Sequence, residues 1–378
     1  MYKQTQTNKN NRIVKKILYL ATAILALAAC SKSEILNPSN APINFSPNAL
    51  ATKALILPDG NAGTTESFPS SETFNVFAFA DLGKGNGTNY GTPLMNDVEI
   101  SNQNGDWKAT TGTYIWPNSG TVDFYAYHPG SLNAVFDSTA TPKGLAFTGI
   151  SLGTSVGSQI DPLVASTLGQ VSTNRPTVGL VFKHITSQIA VTAYDATTTK
   201  SLRGKISIEK VVFKNMKTSG DYTEGTTVGK GAWSNINTNA DFTSFSGKIV
   251  LDTLENYLSA GQFSSAIDNS AAFVVVPEGI IAEDLTNNTH QAIEVSYSIA
   301  AYTINGFNYP ATPTQTVTIP LYNRVSANTF QNGKRYVFHL GISLDGANNE
   351  IMFNPQVEGW ETEDITGLVI DAVNKKMM

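Results

Sequence analysis

The sequence predicts an all-β protein made of two β-sandwich domains. Short stretches alternate apolar and polar residues with a period of two, and clusters of Gly, Asn, Asp, Ser and Pro separate them. No segment keeps an apolar helical face over three turns. The length of 378 residues calls for two sandwiches rather than one. The clearest alternating stretches are 74–79, 121–127, 188–194, 205–208, 294–299, 317–319 and 336–340.

Composition argues against catalysis and against a nucleic-acid partner. The formal net charge is −5, whereas a nucleic-acid partner normally requires a basic face. One cysteine excludes a disulfide framework and a cysteine-rich metal site. Spacing reveals no Ser-His-Asp or paired-carboxylate arrangement. We therefore expect no enzyme activity, no metal and no cofactor.

The N-terminus has the pattern of an export signal. Residues 1–16 carry five basic residues and no acid, and an apolar run of 13 residues follows at 17–29. This run is too short to span a bilayer as a helix. It ends in Leu-Ala-Ala-Cys at 27–30, which resembles a bacterial lipobox, so we expect removal of residues 1–29 and acylation of Cys30 at the outer membrane. The alternative is an ordinary signal peptide with an incidental cysteine.

Composition also suggests domain boundaries. Residues 150–177 are rich in Ser, Thr and Gly, and a new strand-like run begins at Val178. The segment 81–106 contains many glycines and is expected to be a mobile hairpin loop. The expected divisions are a signal peptide (1–29), a tether with a removable first strand (30–53), an N-terminal sandwich (54–177) and a C-terminal sandwich (178–378).

Several motifs, taken in order, resemble the Bacteroidetes fimbrillins, the subunits of lipoprotein-derived (type V) pili. Each motif is short, and their order along the mature chain makes the resemblance specific. The fold that it implies is two consecutive transthyretin-like β-sandwiches. The motifs are the lipobox at 27–30 and the segments 42–45, 51–54, 114–117, 122–129, 180–184, 333–336 and 357–360.

The resemblance implies assembly by strand exchange with other fimbrial subunits. A trypsin-like surface protease removes the first strand, and a strand of another subunit fills the groove that is left. The displaced strand would contain Ile43 and Phe45, which alternation places on one face. Cleavage fits between Lys53 and Ala54, where the best-known fimbrillins have arginine. The alternative is that Lys53 is an ordinary surface lysine.

The C-terminus would provide the donor strand within residues 365–373. Leu368, Ile370 and Ala372 share one face of an extended strand, and Val369 and Val373 lie on the other. An apolar run of this kind must be buried. It either packs against its own domain or enters the groove of a neighbour, and the sequence leaves both open.

A second function class is a surface-anchored lipoprotein or pilus-tip adhesin that binds a host surface or a glycan. Trp107, Trp116, Trp233 and Trp360 could offer aromatic faces to a sugar. Large aromatic residues dominate sandwich cores, so we favour a core position for each of them. A permanently anchored binding protein would need neither a cut at Lys53 nor a spare strand.

Overall fold

The protein is built almost entirely of β-strands, which confirms the predicted all-β class. Helix within the described residues is limited to short 3₁₀ turns such as Ser172–Asn174 and Lys200–Leu202. The computed structural model describes residues 41–49, 66–81, 92–140, 142–155, 158–251, 272–282, 289–345, 361–371 and 376–377.

The strands are numbered in chain order. The first ten are β1 (Phe45–Ala49), β2 (Glu66–Ser67), β3 (Thr73–Asp81), β4 (Met95–Gln103), β5 (Asp106–Ala109), β6 (Thr121–His128), β7 (Val135–Asp137), β8 (Gly144–Ser151), β9 (Leu163–Val171) and β10 (Val178–His184). The others are β11 (Ser187–Asp195), β12 (Ile206–Thr223), β13 (Ala232–Val250), β14 (Phe273–Val275), β15 (Ala292–Ile299), β16 (Tyr302–Ile304), β17 (Phe307–Tyr309), β18 (Thr312–Pro320), β19 (Lys334–Ser343), β20 (Glu361–Asp371) and β21 (Lys376–Met377).

The first sheet has eight strands and closes on itself. Its spatial order is β10-β9-β6-β3-β4-β5-β1-β2, and a further pairing of β1 with β10 joins all but β2 into a ring. The neighbours in this ring are antiparallel except β1 and β10, which run parallel. Because β1 has a neighbour on each side, it is an interior strand and not an edge strand.

Two further sheets share a second core. One has the order β18-β15-β12-β8-β7, with β13 also paired to β12, and the other has the order β14-β11-β19-β20-β21. The hydrophobic cluster that both sheets supply includes Ile189, Phe213, Phe273, Tyr297 and Phe338. A third cluster joins the outer face of β3 and β6 to β8 and β12, through residues such as Phe77, Tyr127, Phe147 and Tyr222.

Sheet membership does not change at the boundary expected between residues 177 and 178. The strand β10 starts at Val178 but belongs to the first sheet, and the chain enters the next sheet only at Ser187, where β11 begins. Conversely, β7 and β8 precede residue 177 and join the sheet of β12. An alternating pattern marks where a strand begins, whereas long-range pairing decides which sheet it joins.

The segment 81–106 is not one long loop, because β4 and the start of β5 lie within it. Met95, Val98 and Ile100 are buried, so their spacing is three and then two residues. A register shift in the β3–β4 pairing accounts for the extra residue. This β-bulge disrupts the period of two and hides the strand from sequence analysis. Residues 82–91 lie outside the described part of the chain.

Candidate functional site

The candidate site is the seam at which β1 closes the first sheet. On one side β1 pairs in parallel with β10, with Phe45 opposite Val178. On the other side Phe45 stands opposite Trp107, and the Ile43 N–H donates a hydrogen bond to the Tyr114 carbonyl at 2.9 Å. The first strand is therefore held by main-chain hydrogen bonds along both of its sides.

Side chains of this strand alternate between the core and solvent, as a strand packed on one face should. Ile43 and Phe45 are 4% and 3% exposed, Pro47 is also buried, and Ser46 is exposed. The sequence prediction placed Ile43 and Phe45 on one face, and the structure brings both into the same core. The core residues that surround them include Phe74, Trp107, Trp116, Phe124, Val178, Leu180 and Phe182.

Aromatic rings form the walls of the seam. The ring of Phe45 meets those of Phe74 and Phe124 edge to face, at centroid distances of 5.9 and 5.8 Å. Trp116 packs on Phe124 at 5.7 Å. Sequence analysis predicts a core position for Trp116 but does not associate these three residues with Phe45, because they are distant from it in sequence. Their only sequence signal is the aromatic content of the alternating stretches.

The two sides of the seam differ in how closely they pack. A cavity of about 320 Å³ lies beside the N-terminal part of the first strand. Pro42, Ile43 and Asn44 line one wall, and Lys108 and Tyr114 are among the residues across from them. The β10 side, by contrast, pairs along the whole length of β1.

The predicted donor segment lies in a different sheet from β1. Leu368, Val369 and Ile370 belong to β20, which pairs in parallel with β19 of the same chain. On its other side β20 pairs with β21 only at Ile370 and Asp371, so within the described residues 361–369 have one neighbouring strand. The remaining predicted site residues, Cys30, Lys53, Ala54, Ala372 and Val373, lie outside the described part of the chain.

Two of the four tryptophans are core residues, as the sequence analysis favours. Trp107 and Trp116 are 8% and 1% exposed, so neither offers a free face to a sugar. Trp233 is partly buried against Tyr222 and donates its indole N–H to the Ile185 carbonyl at 2.7 Å. Trp360 lies outside the described residues.

Two histidines in apolar strands are buried and have polar partners. His184 Nδ1 lies 2.8 Å from an Asp161 carboxylate oxygen, and the other oxygen accepts a hydrogen bond from the Thr186 hydroxyl. His339 Nδ1 lies 2.8 Å from the Thr192 hydroxyl. Each of these imidazoles therefore has a polar group close to its Nδ1 within the core, which agrees with a structural role.

A partly buried carboxylate lies in the loop between β12 and β13. Burial raises the pKa of Glu224 to about 7, although hydrogen bonds from the Gly229 N–H and the Tyr222 hydroxyl oppose this shift. The same loop is tied to the turn before β19, because the Lys230 ammonium donates to the Asn332 carbonyl at 3.0 Å. Glu224 thus makes the stability of this loop sensitive to pH near neutrality.

Within the described ranges, no three His, Cys, Asp or Glu side chains are grouped so that they could hold a metal ion. The same residues include no helix with the length and apolar character needed to cross a membrane. The arrangement at the β1 seam consists of strand pairing and apolar packing.

Comparison with known families places the chain among fimbrillin-like proteins. A family model described as Fimbrillin-like matches residues 61–360, and the chain belongs to that family. The resemblance drawn from the sequence motifs is thereby confirmed. No curated protein matches the chain.

Solved structures from Bacteroides species resemble this chain at low sequence identity. A fimbrial protein from Bacteroides vulgatus is 16% identical and superimposes with a TM-score of 0.51, over 80% of this chain and 96% of that one. A candidate cell adhesion protein from Bacteroides uniformis is 15% identical, with a TM-score of 0.44 over 79% of this chain and 94% of that one.

Proposed function

We propose that the protein is a structural subunit of a cell-surface fimbria that polymerises by strand exchange. In this proposal the precursor is exported and acylated at Cys30, reaches the outer membrane, and is cut between Lys53 and Ala54 by a trypsin-like surface protease. A C-terminal strand from another subunit then takes the place of the first strand. The position of β1 as the strand that closes the first sheet is the observation that carries the proposal.

Removing β1 would leave unpaired backbone groups and uncovered apolar surface that a replacement strand could satisfy. The edge of β10 would lose its partner, and the backbone at Tyr114 and Trp116 would lose the hydrogen bonds that it exchanges with residues 41–43. The rings of Phe74 and Phe124 would lose the Phe45 ring that covers them. Unpaired strand edges beside exposed aromatic surface favour the addition of an extended peptide.

A cut after Lys53 would make β1 exchangeable. The strand ends at Ala49, and the chain has one cysteine, so no disulfide within the chain can hold the strand after cleavage. The cleaved segment would be retained only by hydrogen bonds and packing, both of which an incoming strand can replace. A lysine at this position implies a protease pocket that accepts an ammonium group rather than a guanidinium.

The donor strand must present apolar residues at every second position, as the segment that it replaces does with Ile43, Phe45 and Pro47. The C-terminal segment offers Leu368, Ile370 and Ala372 at that spacing. We infer a register with Ile370 in the position of Phe45. Among the described residues, β19 is the one strand that neighbours 361–369, which supports this choice of donor, since such a strand can leave its sheet by breaking one ladder.

Deleting residues 365–378 tests the proposal. We expect a folded subunit that cannot elongate, with filaments counted by electron microscopy and folding followed by thermal melting. Ile370→Asp should block elongation similarly, because an unpaired charge in an apolar groove costs several kcal/mol. Asp371→Asn is the matched control, since the adjacent residue faces the other way. Normal filaments from the truncated subunit would contradict the donor assignment, and a strongly destabilised monomer would favour packing in cis.

A further inference from the structure

A second candidate binding site lies on the outer face of the first sheet, opposite the face that packs on β1. The β3–β4 pairing passes from Val76 opposite Val98 to Ala78 opposite Met95, so two residues of β4 stand opposite Phe77. The second of them, Asp97, has a φ of 55°. Aspartate tolerates this left-handed conformation better than most residues, and a β-bulge redirects the side chain that it contains.

The carboxylate of Asp97 is fixed through one of its oxygens. Oδ1 accepts hydrogen bonds from the Tyr127 hydroxyl at 2.6 Å and from the Asn75 amide at 2.9 Å. Tyr127 is fully buried, which gives this anchor a rigid base. Oδ2 accepts no hydrogen bond from any residue that the structure describes. The carboxylate therefore keeps one oxygen for a donor from outside these residues.

Asp97, an exposed residue of β4, lies at an open surface cavity of about 480 Å³, which is within the size range of small-ligand sites. Apolar side chains dominate the other walls: Phe77 and Phe79 come from β3, and Val135 and Phe136 come from β7. The Phe79 and Phe136 rings pack together at a centroid distance of 4.3 Å. Among the residues that the structure describes, the lining includes no Lys, Arg or His that would neutralise the carboxylate.

We propose that this cavity binds an alkylammonium group of the kind that a lysine side chain carries. A single available oxygen suits an ammonium, which acts as a point charge, better than a guanidinium, which binds best to both oxygens of a carboxylate. The methylene stem of the ligand would lie along Phe136 and Val135, and the phenylalanine rings would add cation–π attraction. The bulge, the anchored carboxylate and the aromatic walls together define this site.

The experiment is an NMR titration of the folded subunit with Nα-acetyl-lysine methylamide. We expect saturable shifts at the cavity, at least tenfold weaker binding in Asp97→Asn, and no comparable binding of the norleucine analogue. Asp97→Asn keeps an oxygen that can accept from Tyr127 and Asn75. Val135→Lys, at a side chain that is 57% exposed, provides a second variant that leaves Asp97 intact; its own ammonium should compete and weaken binding tenfold or more.

Two further ligands test which cationic group the cavity prefers and whether that group belongs to a small molecule or to a protein. The arginine analogue should bind several-fold more weakly than the lysine derivative. Comparing the affinity for n-butylamine with the affinity for Nα-acetyl-lysine methylamide distinguishes a small free amine from a lysine side chain of a protein. Only the lysine derivative carries flanking peptide groups. The proposal is overturned by the absence of saturable binding, by equal affinity in Asp97→Asn, or by equal affinity for the norleucine or arginine analogue.

Discussion

The ring of Phe45 stands edge to face against the ring of Phe124, with an interplanar angle of 87° and centroids 5.8 Å apart. Phe45 belongs to the first strand of the ring and Phe124 to β6, which is not its neighbour in that sheet. The contact therefore crosses the interior of the closed sheet. It makes Phe45 the residue through which the first strand is tied to the centre of the core.

Phe45→Ala should destabilise the uncleaved protein by about 3–5 kcal/mol, because it leaves a cavity among well-packed aromatic rings. Chemical denaturation of the purified precursor measures this loss. Ser46→Ala is the control on the same strand, and its exposed side chain should change the stability by less than about 0.5 kcal/mol. Equal effects of the two substitutions would show that β1 is not a core strand.

Limited trypsin digestion of the folded precursor should cut after Lys53 before it cuts within the strands, because paired strand backbone resists proteolysis. Mass spectrometry should find a product that begins at Ala54. Lys53→Gln should remove this early cut and leave later cleavage unchanged. Early cleavage at lysines inside strands, with Lys53 intact, would place the processing site elsewhere.

Cys30→Ala should abolish lipidation, since no other thiol exists in the chain. Cells fed a fatty-acid probe should label the natural protein and not the variant. A conservative change nearby, Ser31→Ala, should preserve labelling. Label on the Cys30→Ala protein would refute the lipobox assignment.

The sequence predicts the strands better than it predicts their partners. Alternation identifies β3, β6, β11 and β19 from stretches rich in aromatic and β-branched residues, although the structure buries both faces of β11 and β19. It misses β4, where Asp97 and its neighbour interrupt the period. A bulge changes the pattern locally but costs the sheet little, so a strand survives where the pattern fails.

The candidate site can be predicted only in part from the sequence, because some of its features are local and others depend on long-range pairing. Ile43 and Phe45 show their common face by their spacing, which is a local property. The pairing of Phe45 with Val178 spans more than a hundred residues, and no local rule fixes it. The closure of the first sheet into a ring depends on that pairing, because β10 otherwise joins the sheet only through β9.

The free energy of unfolding should fall as the pH rises from about 5 to about 8, because Glu224 ionises over this range. Its pKa is raised to about 7 in the folded protein, so the folded state holds this proton more tightly than the unfolded state does. The shift corresponds to at most about 3 kcal/mol, lost as the carboxylate ionises. Burial raises the pKa of Glu278 to about 7 as well, so this residue adds a loss of the same sign.

Denaturation curves at several pH values test this assignment. Glu224→Gln should flatten the decline between pH 5 and 8, because an amide does not ionise in this range. Glu72→Gln, at an exposed side chain, should leave the decline unchanged. An identical pH profile in Glu224→Gln would mean that the glutamate does not control stability.

Strand exchange is tested most directly by cross-linking assembled subunits. In the free chain Ser46 stands opposite Gly179, and a side chain added at Gly179 would meet no atom within 4 Å. With Ile370 in the position of Phe45, Asp371 takes the position of Ser46. Subunits that carry Gly179→Cys and Asp371→Cys should then place the two cysteines within disulfide range across a filament contact.

Removal of residues 1–53 also removes Cys30, so the processed subunit has no other thiol. After mild oxidation, the account predicts a ladder of covalent oligomers that forms only in assembled filaments. Subunits with Gly179→Cys and Ile370→Cys should give none, because in the proposed register residue 370 takes the inward-facing position of Phe45. Filaments that form normally yet yield no cross-link between position 179 and positions 369, 371 or 373 would contradict strand exchange at the β1 seam.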